Sequence, residues 1–298
     1  MHEPKTGHLV ERPLRSKGLL ATLGRSFGVL GKTILWEPFH LLWRYRKLLW
    51  QTVVIDIKTR YAGSVLGLFW LFIYPLLFLS AYALVYIYIF QVRFPNPEIT
   101  SVDYTVLIFC GLIPFLGFSE SISLGVPSVV SNVSLMKNTL FPIDLIPVKA
   151  VMVGQSTQLV GMGLLLVAVT LLGNLSAHAL LIVPIWFLQT ILTTGLVWIF
   201  SSLNVYVRDI QNMVAIAVLL LMMLSPIAYT EEMLSGRLRS LLMLNPLYYV
   251  IEAYRSVLMY GEFPSAQIMI PLVCFSLFSF VAGYWFFGRI KVLFSDYV

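Results

Sequence analysis

Between Arg60 and Arg93 the chain carries no charged side chain. The stretch opens Asp56-Ile57-Lys58-Thr59-Arg60-Tyr61-Ala62-Gly63-Ser64-Val65-Leu66-Gly67 and then stays apolar to Phe90. A charged, helix-compatible segment stops at Arg60, a Gly/Ser hinge follows, and the chain then enters hydrocarbon. The 26 residues from Val65 to Phe90 exceed the ~20 needed to cross a bilayer, so the segment spans with tilt or a kink. Pro75 is the expected kink, because it removes a backbone donor and crowds the preceding turn. Trp70, Tyr74, Phe78, Tyr82, Tyr86 and Phe90 recur at every fourth residue, which lays rings along one slowly drifting helix face.

Of the 298 residues, 59% are hydrophobic and only 11% charged, with a mean hydropathy of +0.86. A soluble domain carries roughly 25% charged residues, so an all-α membrane protein with several spans is expected. Six apolar spans are predicted: Val65–Phe90, Tyr104–Val126, Ala150–Leu172, Ala179–Leu203, Met213–Tyr229 and Gln267–Ile290. Residues 1–35 are mixed, basic and glycine-dotted, and read as a flexible cytosolic tail; they lack the apolar core of a removable signal peptide. Residues 36–64 form an interface helix and hinge, and residues 65–298 the six-span domain. In the interface helix Phe39, Leu42, Trp43, Leu49, Trp50, Val53, Val54 and Ile57 fall near one face. Arg44, Lys47, Gln51 and Lys58 fall on another, the pattern of a helix lying in the membrane surface. Cys110 and Cys274 lie in apolar runs without ligand spacing and read as buried, inert thiols.

The isoelectric point near 9.3 and net charge of +6 raise the question of nucleic acid. The basic residues form no patch on a soluble domain, and topology explains them better. With the N-terminus inside, the outer segments hold only Arg93, Arg237, Arg239 and Arg255, which leaves 16 of the 20 Lys and Arg on the cytosolic side. That asymmetry places both termini in the cytosol.

Catalytic patterns fail one by one. Gly31-Lys32-Thr33 lacks the earlier glycine and the preceding strand of a phosphate-binding loop. Ser134 and Lys137 match a serine–lysine spacing with no companion motif, and Gly117 to Ser121 lacks the last glycine of a nucleophile elbow. His2, His8, His40 and His178 are scattered, so no metal site is expected. Glu120 is the one acid inside a span, too little for an ion-driven carrier. An enzyme of glycan or lipid assembly is disfavoured for the same want of carboxylate and histidine sites.

The segment from Glu231 to Pro264 is semi-apolar and broken at Asn245-Pro246. Its halves, Met233 to Leu244 and Leu247 to Met259, reach only about 18–20 Å each, too short to span. They are expected to dip in from the outer face as a re-entrant hairpin, a lid over an exit, with Glu252 and Arg255 paired on one helix face. The tyrosines of the aromatic series are costly against lipid, because each hydroxyl wants a partner. A wet interior, whose ligands could stack on the rings, satisfies them, so Trp70, Tyr74, Phe78, Tyr82 and Tyr86 are the expected substrate path; aromatic packing between helices and interfacial belts are the alternative.

Four runs, in order, carry a family resemblance. Asp56 to Gly67 followed by Trp70 resembles the entrance motif of type-2 ABC exporter permeases, polysaccharide, O-antigen and teichoic-acid branch. Leu140-Phe141-Pro142-Ile143-Asp144-Leu145-Ile146-Pro147 resembles the family's cytosolic turn before the third span. Asn204-Val205-Tyr206-Val207-Arg208-Asp209 resembles its inner loop before the fifth. Asn245-Pro246-Leu247 with Ile251-Glu252-Ala253-Tyr254-Arg255 resembles its outer re-entrant segment. The family usually has a basic residue at Ala62 and an Arg-Glu pair at Ile143-Asp144. The resemblance implies a homodimeric permease of the bacterial inner membrane, with two cytosolic ATPase subunits that carry the ATP and Mg; no cofactor is expected on this chain. Its substrate would be a lipid-linked glycan; a drug or small lipid on the same scaffold is the alternative. ATPase coupling would fall to Ser134, Lys137, Asn138, Phe141, Pro142 and Asp144. Arg60, Tyr61, Gly63 and Ser64 would form the hinge, Arg208 and Asp209 the inner loop, and Asn245, Pro246, Glu252 and Arg255 the outer gate.

The charge asymmetry is checked by cysteine labelling in cells. With Cys110 and Cys274 replaced, single cysteines at Asn96 and Ser235 should react with an impermeant maleimide from outside. Labelling only after permeabilisation would reverse the topology.

Overall fold

The computed structural model describes residues 36–85, 89, 101–132, 141–172 and 175–296. The chain divides into two units, residues 1–44 and 45–298. In the first, residues 36–44 are helical. The second holds every element named below. All regular elements among the described residues are helical.

Tyr45 is a turn residue at φ −99 and ψ 12, so the expected surface helix is two pieces, and α1 spans Arg46–Arg60. Its basic last turn, Lys58 and Arg60, lies against the negative end of the helix dipole. The expected apolar face is narrower than the pattern implied. Leu49 and Val53, one turn apart, are buried, while Trp50 and Ile55 point outward. Beyond Arg60 the chain turns at Gly63 (φ 78) and Gly67 (φ 51). A Cβ at either would touch nothing, so glycine is required there by backbone conformation and not by crowding.

α2 is Trp70–Leu84, led in by a 3-10 turn, and carries Pro75 inside. α3 is Ser101–Gly125, α4 the single turn Ser128–Ser131, and α5 Leu145–Leu171. α6 is Ile182–Tyr206, α7 Ile210–Leu224, α8 Gly236–Leu242, α9 Pro246–Leu258 and α10 Ala266–Ile290. A 3-10 turn, Lys291–Asp296, follows. Five segments are long and apolar enough to cross a bilayer: Gly67–Leu84, Tyr104–Gly125, Leu145–Leu171, Ala177–Tyr206 and Ala266–Ile290.

The segment counted fifth in the sequence does not reach that length as helix. α7 has 15 residues, which give about 22 Å against a hydrocarbon core of about 30 Å. Pro226 is the cause. A proline pushes the residue before it out of the α region, and Ser225 stands at ψ 144. Residues 225–230 are then non-helical. The outer pair is also unequal. α8 has 7 residues and is largely exposed, whereas α9 has 13 and is buried along most of its length among α3, α6 and α10. Asn245 caps α9 by accepting from Leu247 N at 3.0 Å, and Pro246 takes the first helical position, where no donor is needed.

Small residues set the closest helix crossings. A Cβ at Gly195 of α6 would lie 2.2 Å from the Ser279 carbonyl of α10, and one at Gly283 would lie 2.2 Å from Gly195 O. Ser279 Oγ donates to Leu192 O at 3.0 Å across the same crossing. Between α3 and α5, a Cβ at Gly154 would lie 2.4 Å from Ser121 N. Without a hydrophobic driving force between helices in lipid, such close approach is what holds them. The interior also carries amides. Gln158 and Gln189 exchange hydrogen bonds at 2.8 and 2.9 Å, and Gln158 donates to the Tyr254 hydroxyl at 3.0 Å. Of the two cysteines expected to be buried, Cys110 is and Cys274 is not, because it lies on the outer face of α10.

Gly195→Ala in detergent-purified protein should lower the apparent melting temperature, by the ~1–3 kcal/mol of an overpacked site. Gly163→Ala, whose Cβ meets nothing, should be neutral or slightly stabilising. Equal melting of Gly195→Ala and the parent would remove the crossing from the account.

Candidate substrate path and coupling contacts

The hinge brings together residues far apart in sequence. Arg60 at the end of α1 makes an ion pair with Glu120 on α3. Trp70 Nε1 donates to Ser64 Oγ at 2.9 Å, tying the start of α2 back onto the hinge. Tyr61 lies beside Arg60; burial pushes its phenol up, Arg60 pulls it down and Glu120 pushes it up again, so it stays neutral at physiological pH. Arg60, Tyr61, Trp70, Tyr74 and Glu120 line a cavity of about 380 Å³. Glu120, an isolated acid in the sequence, thus has a partner 60 residues away. No local pattern announces that pairing.

The aromatic series divides between two cavities. Tyr74 and Phe78 stack at 6.2 Å, and Phe78 and Tyr82 at 5.3 Å, both at 28°. Trp70 and Tyr74 face the hinge cavity. Tyr82 lines a second cavity of about 370 Å³ with Met222, Met223, Ser225, Ile227 and Tyr229. Phe78 stacks between, so the ladder runs from one cavity to the other along about 18 Å of helix. Tyr86 lies outside the described residues.

The second cavity is walled by the broken end of α7, and Arg255 holds that end. Its guanidinium is fully buried. It donates to Glu252 Oε1 at 2.7 Å, to Tyr229 O at 3.3 Å, to Ile227 O at 3.1 Å and to Pro226 O. Tyr104 OH donates to Ala228 O at 3.1 Å, and Asn245 Nδ2 to Ser225 Oγ at 2.9 Å. The carbonyls freed where the helix stops are therefore collected by one fork-shaped cation and the Tyr104 hydroxyl, while Asn245 holds the Ser225 side chain. The Glu252–Arg255 pair expected from the sequence forms; the carbonyls it serves were not foreseen, because Pro226 was read inside a span.

Of the residues expected to contact an ATPase, Ser134, Lys137 and Asn138 lie outside the described residues. Pro142 is half-buried, and Phe141 and Asp144 face inward. Asp144 accepts from Lys291 Nζ at 2.7 and 2.9 Å through its carboxylate and from Trp198 Nε1 at 3.0 Å through its carbonyl. Phe141 and Asp144 thus brace the turn from within, the carboxylate held by Lys291. Phe294, just beyond, packs on Phe287 at 5.5 Å. Lys149, nearly buried, reaches Asp56 of α1 at 2.7 Å and Asn132 Oδ1 at 3.4 Å. Arg208 and Asp209 are exposed at the α6–α7 turn, where Asn204 Oδ1 accepts from Gln211 N at 3.2 Å. Among the described residues no three His, Cys, Asp or Glu side chains are placed to hold a metal ion.

The family model described as ABC-2 type transporter matches residues 41–259. The chain is 29% identical over 243 residues to the O-antigen export system permease protein RfbA of Klebsiella pneumoniae, covering 81% of this chain and 91% of that protein. It is 27% identical over 239 residues to RfbA of Myxococcus xanthus, covering 79% and 89%. It is 25% identical over 232 residues to the polysialic acid transport protein KpsM of Escherichia coli, covering 76% and 87%.

Removing the cation should expose what it holds. Arg255→Met strands Glu252 and three carbonyls, at a cost of about 3–5 kcal/mol for breaking a buried pair. A large drop in detergent melting temperature is expected, with Arg255→Lys intermediate. A Met variant that melts with the parent would show the fork to be dispensable.

Proposed function

We propose, for a chain that belongs to the ABC-2 type transporter family, that it forms the membrane-spanning subunit of an ATP-driven exporter of lipid-linked polysaccharide, of O-antigen, capsule or teichoic-acid type. The observation that carries this is the likeness to polysaccharide-export permeases over most of the chain. The aromatic ladder supports it: rings spaced along a span between two cavities offer successive apolar planes with polar tips, which suits a sugar chain moving past.

In this assignment ATP hydrolysis belongs to a separate cytosolic ATPase, two copies of which serve a homodimer of this chain. The sixth crossing is α7 continued by residues 225–230. Non-helical backbone at that depth is tolerated where protein satisfies it, and Arg255 and Tyr104 do so here. α8 and α9 form the outer re-entrant pair, and both termini lie in the cytosol of a bacterial inner membrane. Motion of the docked ATPases enters around residues 133–144. It passes to α5 through the Asp144 turn, and from α5 to the surface helix through Lys149 and Asp56. Arg60 and Glu120 then carry it to α3, and the Trp70–Ser64 hydrogen bond links the hinge to the foot of α2. The chain supplies shape and contacts, not chemistry.

Deleting the gene should leave the cell surface without its polymer while the lipid-linked polymer accumulates inside, seen by gel blotting of fractionated cells. Polymer reaching the surface of the deletion strain at the normal level would refute the assignment, as would turnover of a lipid-linked sugar by the purified chain alone.

A further inference from the structure

The hinge cavity holds one feature that packing leaves unexplained. Glu120 Oε1 accepts from Arg60, but its second oxygen, Oε2, is buried without a partner. A buried carboxylate oxygen lacking a donor is expensive, and here the missing group is a hydrogen-bond donor. The walls around it are mixed. Trp70 and Tyr74 supply ring faces, and Ser119, Ser123 and Thr157 supply hydroxyls. Ser119, Glu120 and Ser123 share one face of α3, so they converge on the same space.

We propose that this cavity is a subsite for a single sugar ring of the exported glycan. Trp70 and Tyr74 stack on the ring, and Glu120 accepts from its hydroxyls while Arg60 fixes the carboxylate. This rests on the exporter assignment above and adds to it a position and a recognition chemistry. The volume, about 380 Å³, lies at the small end of ligand pockets (roughly 300–1,000 Å³), which suits one ring rather than a run of them. The charge arrangement selects among ligands. Arg60 is already neutralised by Glu120, and the oxygen without a partner is negative, so a phosphate would be repelled and a hydroxyl donor attracted. An apolar drug would leave that oxygen as stranded as before. The neutral phenol of Tyr61 adds a donor on the hinge side. A bound ring would thus touch the hinge through Arg60 and Tyr61 and the bundle through Glu120 and Thr157.

The test uses the purified full chain in lipid nanodiscs, with methyl α-D-mannopyranoside, methyl β-D-galactopyranoside and methyl N-acetyl-β-D-glucosaminide as probes and sodium pyrophosphate as the anionic comparison. Tryptophan fluorescence is titrated in the parent and in Trp70→Phe, so that the difference reports on this cavity. At least one glycoside should give a saturable Trp70-dependent change with a Kd of about 1–10 mM. Glu120→Gln should weaken it about tenfold or more, since it removes a charged acceptor. Ser123→Ala, an exposed hydroxyl that folding does not need, should weaken it about threefold. No saturable response to any of the three glycosides, unchanged binding in both variants, or displacement of the sugar by pyrophosphate would overturn the proposal. The two failures are separable. Lost glycoside binding with intact dependence of surface polymer on the gene removes only the subsite, whereas sugar binding without that dependence removes the exporter assignment.

Discussion

Backbone inside hydrocarbon has no water to bond, and this fold turns on a place where a helix stops short of meeting that demand. At Ser225-Pro226 α7 ends too early to cross, and six non-helical residues follow. Arg255 answers with a buried guanidinium shared between Glu252 and three carbonyls. A cation with a planar fork is suited to this, since it offers several donors in fixed directions and keeps its charge when buried. The arrangement fixes α9 against the end of α7. That in turn fixes the wall of the cavity into which Tyr82 points.

The opposite end of α2 is organised by ion pairs. Asp56–Lys149 ties the surface helix to α5, and Arg60–Glu120 ties its last residue to α3. Asp144–Lys291 clasps the turn before α5 to the segment after α10. Each links elements distant in sequence, and each lies near the same end of the bundle, where the membrane surface offers an environment less hostile to charge. Between the two ends the helices meet closely through glycine, serine and paired amides, while at the hinge a Cβ at Gly63 or Gly67 would meet nothing and the Trp70–Ser64 hydrogen bond tethers the next helix. Closely packed helices joined through a tethered hinge can transmit a push.

The parts that sequence showed well were those governed by local periodicity. The apolar spans, the stacking ladder from Tyr74 to Tyr82, the Asn245-Pro246 break and the Glu252–Arg255 pair all follow from helical spacing and from the chemistry of Pro and Asn. Where it erred, two local signals competed. Pro226 lay inside an apolar run and was outvoted by hydropathy, although a proline ends a helix whatever its neighbours are. The partner of Asp144 was not legible at all, because a lysine 147 residues away leaves no trace nearby. Cys274 was placed inward because hydropathy does not separate a lipid-facing position from a buried one.

By itself the sequence determined that this is a helical multi-pass membrane protein, roughly where most of its apolar helices lie, and which side chains share a helix face. Those follow from hydropathy, periodicity and the backbone limits of proline and glycine, all of which act over a few residues. Only the tertiary structure decided what Glu120, Lys149, Asp144 and Arg255 are for. An ionised group in an apolar surround is defined by its partner, and each of these partners, Glu252 apart, arrives from a different helix or turn.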